Sequence, residues 1–178
     1  MLERLVHSGG DPGLAADLRF SPGASAAGLG ALAAGAVILT DTAMAAAAVA
    51  PMARRTFANP VHSVLAWAPA TAPAGSTRAA HGMARALAAH PGAVVLVGSA
   101  PTALECLLDR CAAGAPPPAL VIGMPVGFVG VAESKRRLAA SSLPQIRLEG
   151  TRGGAALVAA AVNALLRRAW LAGPPPAG

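Results

Sequence analysis

Aromatic side chains are scarce in this chain: three Phe, two Trp and no Tyr in 178 residues. Proteins that hold single-stranded nucleic acid stack bases on such rings, and a flavin site sandwiches its ring system in the same way. Both functions lack their usual footing here, and the arginines are scattered along the sequence instead of clustered. Acidic residues are also few, 8 Asp+Glu against 14 Lys+Arg, for a formal net charge of +6. A polyanionic small molecule suits that balance better than a nucleic acid. Cysteine is limited to Cys106 and Cys111. Five residues apart on one helical stretch, they face different ways, poorly oriented for a local disulfide. No His or carboxylate cluster accompanies them to complete a metal site, so they read as core thiols. His62, His81 and His90 lack metal-ligand spacing, and Ser25 and Ser63 lack the G-x-S-x-G setting of a hydrolase elbow.

Long apolar runs are nearly absent too. The uncharged stretch from Phe20 to Thr40 has the length of a membrane span. It is built mainly from Ala and Gly, which insert weakly, contains Pro22 and runs into Asp41. It reads as a buried helix leading into a buried strand. No basic segment followed by an apolar one opens the chain, so no secretory signal is evident and the cytoplasm is the default compartment. Gly28-Leu-Gly30-Ala-Leu-Ala33 spells G-x-G-x-x-A, but it precedes the first strand, the reverse of a dinucleotide fingerprint.

What is present is a hydrophobic fraction of 54%, much of it alanine. Five short apolar runs bounded by Gly, Pro or Asp read as buried parallel strands: Ala36–Thr40, His62–Ala68, Ala93–Gly98, Ala119–Met124 and Gln145–Leu148. Helical stretches alternate with them: Ala24–Ala34, Thr42–Ala50, Ser76–Ala89, Thr102–Ala113, Ala132–Ala140 and Gly154–Ala169. The expected fold is a three-layer α/β/α sandwich with a five-stranded parallel sheet, flavodoxin-like. Residues 1–170 read as one domain and 171–178, rich in Pro and Gly, as a disordered tail. Thr102 precedes Glu105 by three, the spacing of a capping box. Pro69–Gly75 is the segment expected to be mobile over a site. The turns at Gly98–Thr102, Gly123–Gly127 and Gly150–Gly154 should share the strand-end edge, where ligands of parallel sheets bind. Backbone N–H groups and helix N-termini there suit anionic groups.

The letters of those turns are specific. Gly98-Ser-Ala-Pro-Thr-Ala-Leu104, then Val121-Ile-Gly-Met-Pro-Val-Gly-Phe-Val-Gly-Val-Ala-Glu-Ser-Lys135, then Gly150-Thr-Arg-Gly-Gly154 resemble the precorrin-8X methylmutase (precorrin isomerase) family of cobalamin biosynthesis. The resemblance continues through Val6-His-Ser-Gly9, Phe20-Ser-Pro22, Gly35-Ala-Val-Ile-Leu-Thr-Asp-Thr-Ala-Met44 and Ser76-Thr-Arg-Ala79, from about Arg4 to Leu166. It implies an isomerase that shifts a methyl group between adjacent ring carbons of precorrin-8X or cobalt-precorrin-8, giving hydrogenobyrinate or cobyrinate. The shift is a suprafacial [1,5]-sigmatropic migration, which requires no metal, nucleotide or redox cofactor. Its substrate is a polycarboxylate corrin-type tetrapyrrole, in agreement with the basic balance, and the family is homodimeric, with sites near the subunit contact.

Residue by residue, the resemblance makes His7 the catalytic histidine, giving or sharing a proton with a ring nitrogen. An imidazole titrates near neutrality and suits that role; taken alone, a histidine so near a chain start reads as an incidental surface group. Arg4 shares a helical face with His7 and matches a substrate-binding arginine able to pair with a carboxylate, with a solvated surface charge as its bland alternative. Arg78 matches a second carboxylate ligand. Ser99 stands where the family more often has Asn, keeping a hydrogen-bonding side chain of shorter reach, and Thr102 follows it in the same motif. Gly123 lets the backbone approach a ligand, or packs turn against helix. Arg152 is either an anion contact or a structural turn residue. Asp41 either orients the site or caps the helix from Thr42. Family members usually carry a few tens of residues before the histidine motif, whereas Met1 lies six residues before His7. The alternative expectation is therefore a shortened, non-catalytic corrinoid-binding relative, with a flavodoxin-like nucleotide or flavin domain as a third.

Overall fold

The computed structural model describes residues 1–173; the expected tail lies, from residue 174 onward, outside the described residues. One mixed sheet organises them, in the order β1-β6-β5-β4-β2-β3. The strands are β1 (Leu18–Phe20), β2 (Ile38–Thr40), β3 (Val61–Ser63), β4 (Val94–Val97), β5 (Leu120–Gly123) and β6 (Gln145–Leu148). β2 to β6 are parallel, as expected, but the sheet has six strands and not five: β1 pairs antiparallel with β6. β1 escapes a sequence reading because it is three residues long, carries Arg19 at its centre and forms a solvent-facing edge, where charge guards against further pairing. Arg19 reaches Glu149 at 3.5 Å, and Glu149 is 3.4 Å from Arg147.

Helices cover both faces. α1 (Leu2–Gly9), α3 (Ala24–Ala33), α4 (Ala43–Arg55) and α8 (Ala155–Leu171) lie on one; α5 (Arg78–Ala89), α6 (Pro101–Ala112) and α7 (Val131–Ala140) lie on the other. The short α2 (Leu14–Asp17) follows α1. Alternation along β4 shows why both layers are needed: Val94 and Leu96 enter the α8-side core, Val95 and Val97 the α6-side core, and all four are fully buried. The alanine-rich helices pack closely. At Gly82 of α5 a Cβ would collide with the Val64 carbonyl, so only glycine admits that approach.

Two element boundaries differ from expectation by more than two residues. The strand expected over His62–Ala68 ends at Ser63, whose hydroxyl accepts from Leu65 N at 3.3 Å and opens a 3-10 turn over Val64–Trp67. The helix expected to end at Ala50 runs through Pro51, which stands on its exposed side, to Arg55.

The chain visits β2, then β3 on one side, then β4 on the other. The strand order therefore reverses between β2 and β4, the position at which open parallel sheets form their ligand crevice. The loops leaving the strands are sewn together along that edge. Asp41 N donates to Leu96 O (3.0 Å), Met124 N to Val97 O (2.8 Å), Val126 N to Gly98 O (3.1 Å), Gly127 N to Thr151 O (3.1 Å) and Gly154 N to Met124 O (2.9 Å). The Gly98, Gly123 and Gly150 turns thus share one edge. A Cβ on Gly98 would lie 2.7 Å from Gly154 C and 2.8 Å from Ala155 N. Because those atoms are backbone, Gly98→Ala is expected to destabilise the fold by about 1–3 kcal/mol. Gly30→Ala, in the exposed interior of α3 with no neighbour within 4 Å of the new methyl, should instead stabilise it by up to about 1 kcal/mol. Urea unfolding of the two variants checks both signs.

Candidate functional site

At the crevice between β2 and β4 sits Asp41, 1% exposed. Its Oδ2 accepts three backbone hydrogen bonds from the turn after β4: Gly98 N at 3.1 Å, Ser99 N at 2.6 Å and Ala100 N at 2.7 Å. A carboxylate suits this because an anionic oxygen holds several donors strongly. Both sequence alternatives are thereby refined. Asp41 orients the turn, while the helix after it is capped by Thr42, whose Oγ1 accepts from Ala45 N at 3.2 Å. The capping box at Thr102 is not formed because Thr102 lies inside the helix. Ala100 is the N-cap of α6, Pro101 occupies the first turn where its missing N–H is harmless, and the N-cap's own N–H donates to Asp41. Thr102 is left free to place its Oγ1 2.8 Å from Thr77 Oγ1, which joins the starts of α5 and α6.

This geometry corrects the expected floor of free N–H groups. The donors of Gly98, Ser99 and Ala100 are taken by Asp41, and those of Met124, Val126, Gly127 and Gly154 by neighbouring carbonyls. Ser99 and Thr102 are exposed along this stretch. Arg78, the first residue of α5, stands beside the Thr77–Thr102 pair, with Nε donating to Pro69 O at 2.9 Å, so its guanidinium also fastens the Pro69–Gly75 loop. Between α5 and α6 runs a groove of about 590 Å³ that opens at Thr77 and Thr102 and passes His81, Ala84 and Cys106. Burial raises the Cys106 thiol pKa above its ordinary value. Deeper along the groove, Glu105 and Asp109 are both paired with Arg137 of α7.

Two expected site residues prove to be engaged inside the protein. Gly123 is buried, and the space a Cβ would fill is taken by Leu138 of α7, so the missing side chain serves the packing of that helix. Arg152 pairs with Asp11 and Asp17 and donates to Gly13 O at 3.3 Å. Its structural alternative therefore has physical content: it fastens the segment after α1 to the turn after β6. The Gly13 N–H and then Arg152 hold the Asp11 carboxyl below the usual carboxylate range.

Arg4 and His7 lie apart from this group, on α1 along the α8 face of the sheet. Arg4 borders a small cavity of about 130 Å³ with Ser8, Met52, Asn163 and Arg167, well down α8 from its start. His7 is exposed in the last turn of α1; that end reaches the beginning of α8, where a Cβ on Gly9 would touch Leu157 at 3.4 Å. His62 and His90 stack at 5.7 Å against Trp67, in a cluster away from this edge.

Lys135, the only lysine in the chain, was not weighed by the sequence reading. It is 4% exposed, and its Nζ donates to Gly150 O at 2.8 Å and Arg152 O at 2.7 Å. Burial lowers its pKa from 10.5 to about 8, opposed by Asp17. A signal existed: Val131, Lys135 and Leu138 share one helical face, so a lysine between two apolar anchors points inward.

The chain matches the family model for CbiC, precorrin-8X methylmutase, over residues 1–168. It is 50% identical over 167 residues to the precorrin-8X methylmutase of Pseudomonas aeruginosa, covering 91% of this chain and 80% of that protein. It is 40% identical over 184 residues to the cobalt-precorrin-8 methylmutase of Synechocystis, covering 96% and 84%. The crystal structure of precorrin-8x methyl mutase from Thermus thermophilus superposes with a TM-score of 0.87 at 42% identity, covering 99% of this chain and 86% of that one.

The two buried charges make separate predictions. Asp41→Ala strands three backbone donors and should cost on the order of 2–4 kcal/mol in denaturant unfolding, with Asp41→Asn intermediate because it keeps one acceptor oxygen. Lys135 has a folded-state pKa below its unfolded value. Between pH about 8 and 10.5 the unfolded chain therefore binds a proton that the folded chain does not, and this group's contribution to stability rises with pH. The stability difference between the native protein and Lys135→Met should accordingly widen in favour of the native protein from pH 7.5 to pH 10. A difference that narrows or stays flat contradicts the assignment.

Proposed function

Because the chain belongs to the precorrin-8X methylmutase family, we propose that it catalyses the methyl shift of that family on a corrin-type tetrapyrrole held at the strand-end edge. The observation that carries the reading is the edge itself. The residues at the family-motif positions, Thr102, the loop from Met124 to Gly130 and Ser99 in place of the commoner Asn, are fixed together near the β2/β4 reversal by Asp41 and the loop hydrogen bonds. Arg78 is the substrate-carboxylate ligand at this edge, an exposed guanidinium beside two threonine hydroxyls. Arg4 stands apart from this edge on α1, as a cation for a carboxylate on the α8 side, and Arg152 supports the site by holding the turn after β6.

The reaction is an isomerisation: one carbon–carbon bond to the migrating methyl breaks as another forms at the neighbouring ring carbon. In this reading His7 supplies the proton-sharing group for a ring nitrogen and recovers the proton when the shift is complete. Its exposed imidazole near the start of α8 is free to approach a ligand. The remaining side chains bind and orient the ring.

Three finer readings accompany this one. The five parallel strands follow the 2-1-3-4-5 order of flavodoxin-like sheets, which supports that description of residues 1–170 as one domain. A homodimer would have apolar surface available at Leu2, Trp170 and Leu171, which stand 42%, 53% and 64% exposed. No helix among the described residues is long and apolar enough to cross a membrane, which fits a cytoplasmic setting.

Turnover of precorrin-8X, followed by the absorbance change on conversion to hydrogenobyrinate, tests the proposal. His7→Ala removes an exposed side chain, so its circular dichroism should match the native protein while the rate falls by about 10²-fold or more. His62→Ala, His81→Ala and His90→Ala should retain activity. A native rate in His7→Ala contradicts the mechanism.

A further inference from the structure

The loop between β5 and α7 holds out two large apolar side chains: Phe128 and Val129 are each 89% exposed, with Val126 at 47%. Loose loops often expose such residues, but this one is anchored at both ends. Met124 N and Val126 N donate to Val97 O and Gly98 O, and Gly127 N donates to Thr151 O. At the far end Gly130 is the N-cap of α7, its carbonyl accepting from Ser134 N at 3.0 Å. Gly127 and Gly130 have φ of 127° and 70°, conformations that turn the chain sharply on either side of the exposed pair. The apolar tip thus rises from the strand-end edge, beside Thr151, on a base whose backbone groups are already paired. Val126, Phe128 and Val129 are neighbours on this tip, and contiguous exposed apolar surface of this kind is where ligands and partners bind.

We propose that Phe128 and Val129 form the surface against which one face of the tetrapyrrole ring lies, an inference that rests on the methylmutase reading above. The chemistry fits at two levels. A conjugated ring is flat and apolar across its face and carries its carboxylates around the rim. The edge repeats that pattern, with an apolar tip at its centre and hydroxyls and the Arg78 guanidinium to the side. A phenyl group gains both area burial and ring-to-ring geometry from such a partner. Holding one face of the ring also suits a methyl migration, which runs across a single face.

The test titrates the full chain with hydrogenobyrinate by absorbance and runs sedimentation velocity on the same samples, for the native protein and for the double variant Phe128→Ser, Val129→Ser. Both positions are exposed, so the fold should be unaffected. The expected result is native binding, affinity weakened about ten-fold or more in the variant, and unchanged mass. Equal affinity in both proteins overturns the inference and leaves the methylmutase reading standing. A variant of lower mass that binds hydrogenobyrinate as tightly as before assigns the loop to a contact between copies, and also overturns it. Native protein that does not bind overturns the reading and the inference with it. Phe128→Trp gives an independent readout: in the difference from native protein, which carries Trp67 and Trp170, the added emission should be quenched on titration, and added emission that stays unquenched in a protein that binds hydrogenobyrinate places the ring elsewhere.

Discussion

One carboxylate oxygen, Asp41 Oδ2, gathers three backbone N–H groups from a loop nearly sixty residues away in sequence, and the strand-end edge takes its shape from that contact. It closes the crevice where the strand order reverses, sets the start of α6, and fixes where Ser99 and Thr102 stand. Few residues could replace it. An amide offers one accepting oxygen and no charge, and a longer side chain would push the turn into Gly154. Lys135 does the converse on the far side of the edge, giving its buried ammonium to the carbonyls of Gly150 and Arg152. An anion that collects donors and a cation that collects acceptors hold adjoining turns, and each is buried where solvent does not screen it.

The consequence for recognition is that the backbone is already occupied along the best-ordered part of the edge. The free N–H groups natural to expect from glycine-rich turns at strand ends are paired here, on a rigid frame that leaves side chains exposed. That suits a ligand that is mostly apolar with carboxylates only at its margin. The overall charge of +6 then acts at long range, drawing in a polyanion without specifying its seat.

Much of this was legible in the residues. β-branched runs located the five parallel strands, since both faces of a parallel strand must be apolar, and β6 was placed to the residue. The shared edge followed from the alternation of strands and helices. β1 was hidden because a three-residue edge strand with a central arginine has no apolar signature. The internal engagement of Arg152 was hidden because its partners, Asp11 and Asp17, lie about 140 residues upstream, beyond the reach of local spacing. Gly123 illustrates a different limit: a glycine at a strand end is needed whether a ligand or Leu138 fills the space, and only the packing of α7 tells them apart. Arg4 and His7 were legible only through the family resemblance; that α1 lies against α8, apart from Arg78, follows from tertiary packing alone.

The most direct measurement is a crystal structure of the protein with hydrogenobyrinate bound. The account predicts the ring across the ends of β2, β4 and β5, one face on the loop from Val126 to Val129, rim groups within hydrogen-bonding distance of Ser99, Thr102 or Arg78, and the Asp41 contacts unchanged. A ring seated in the groove between α5 and α6, or on the outer surface of α8 with the strand-end edge empty, would contradict it.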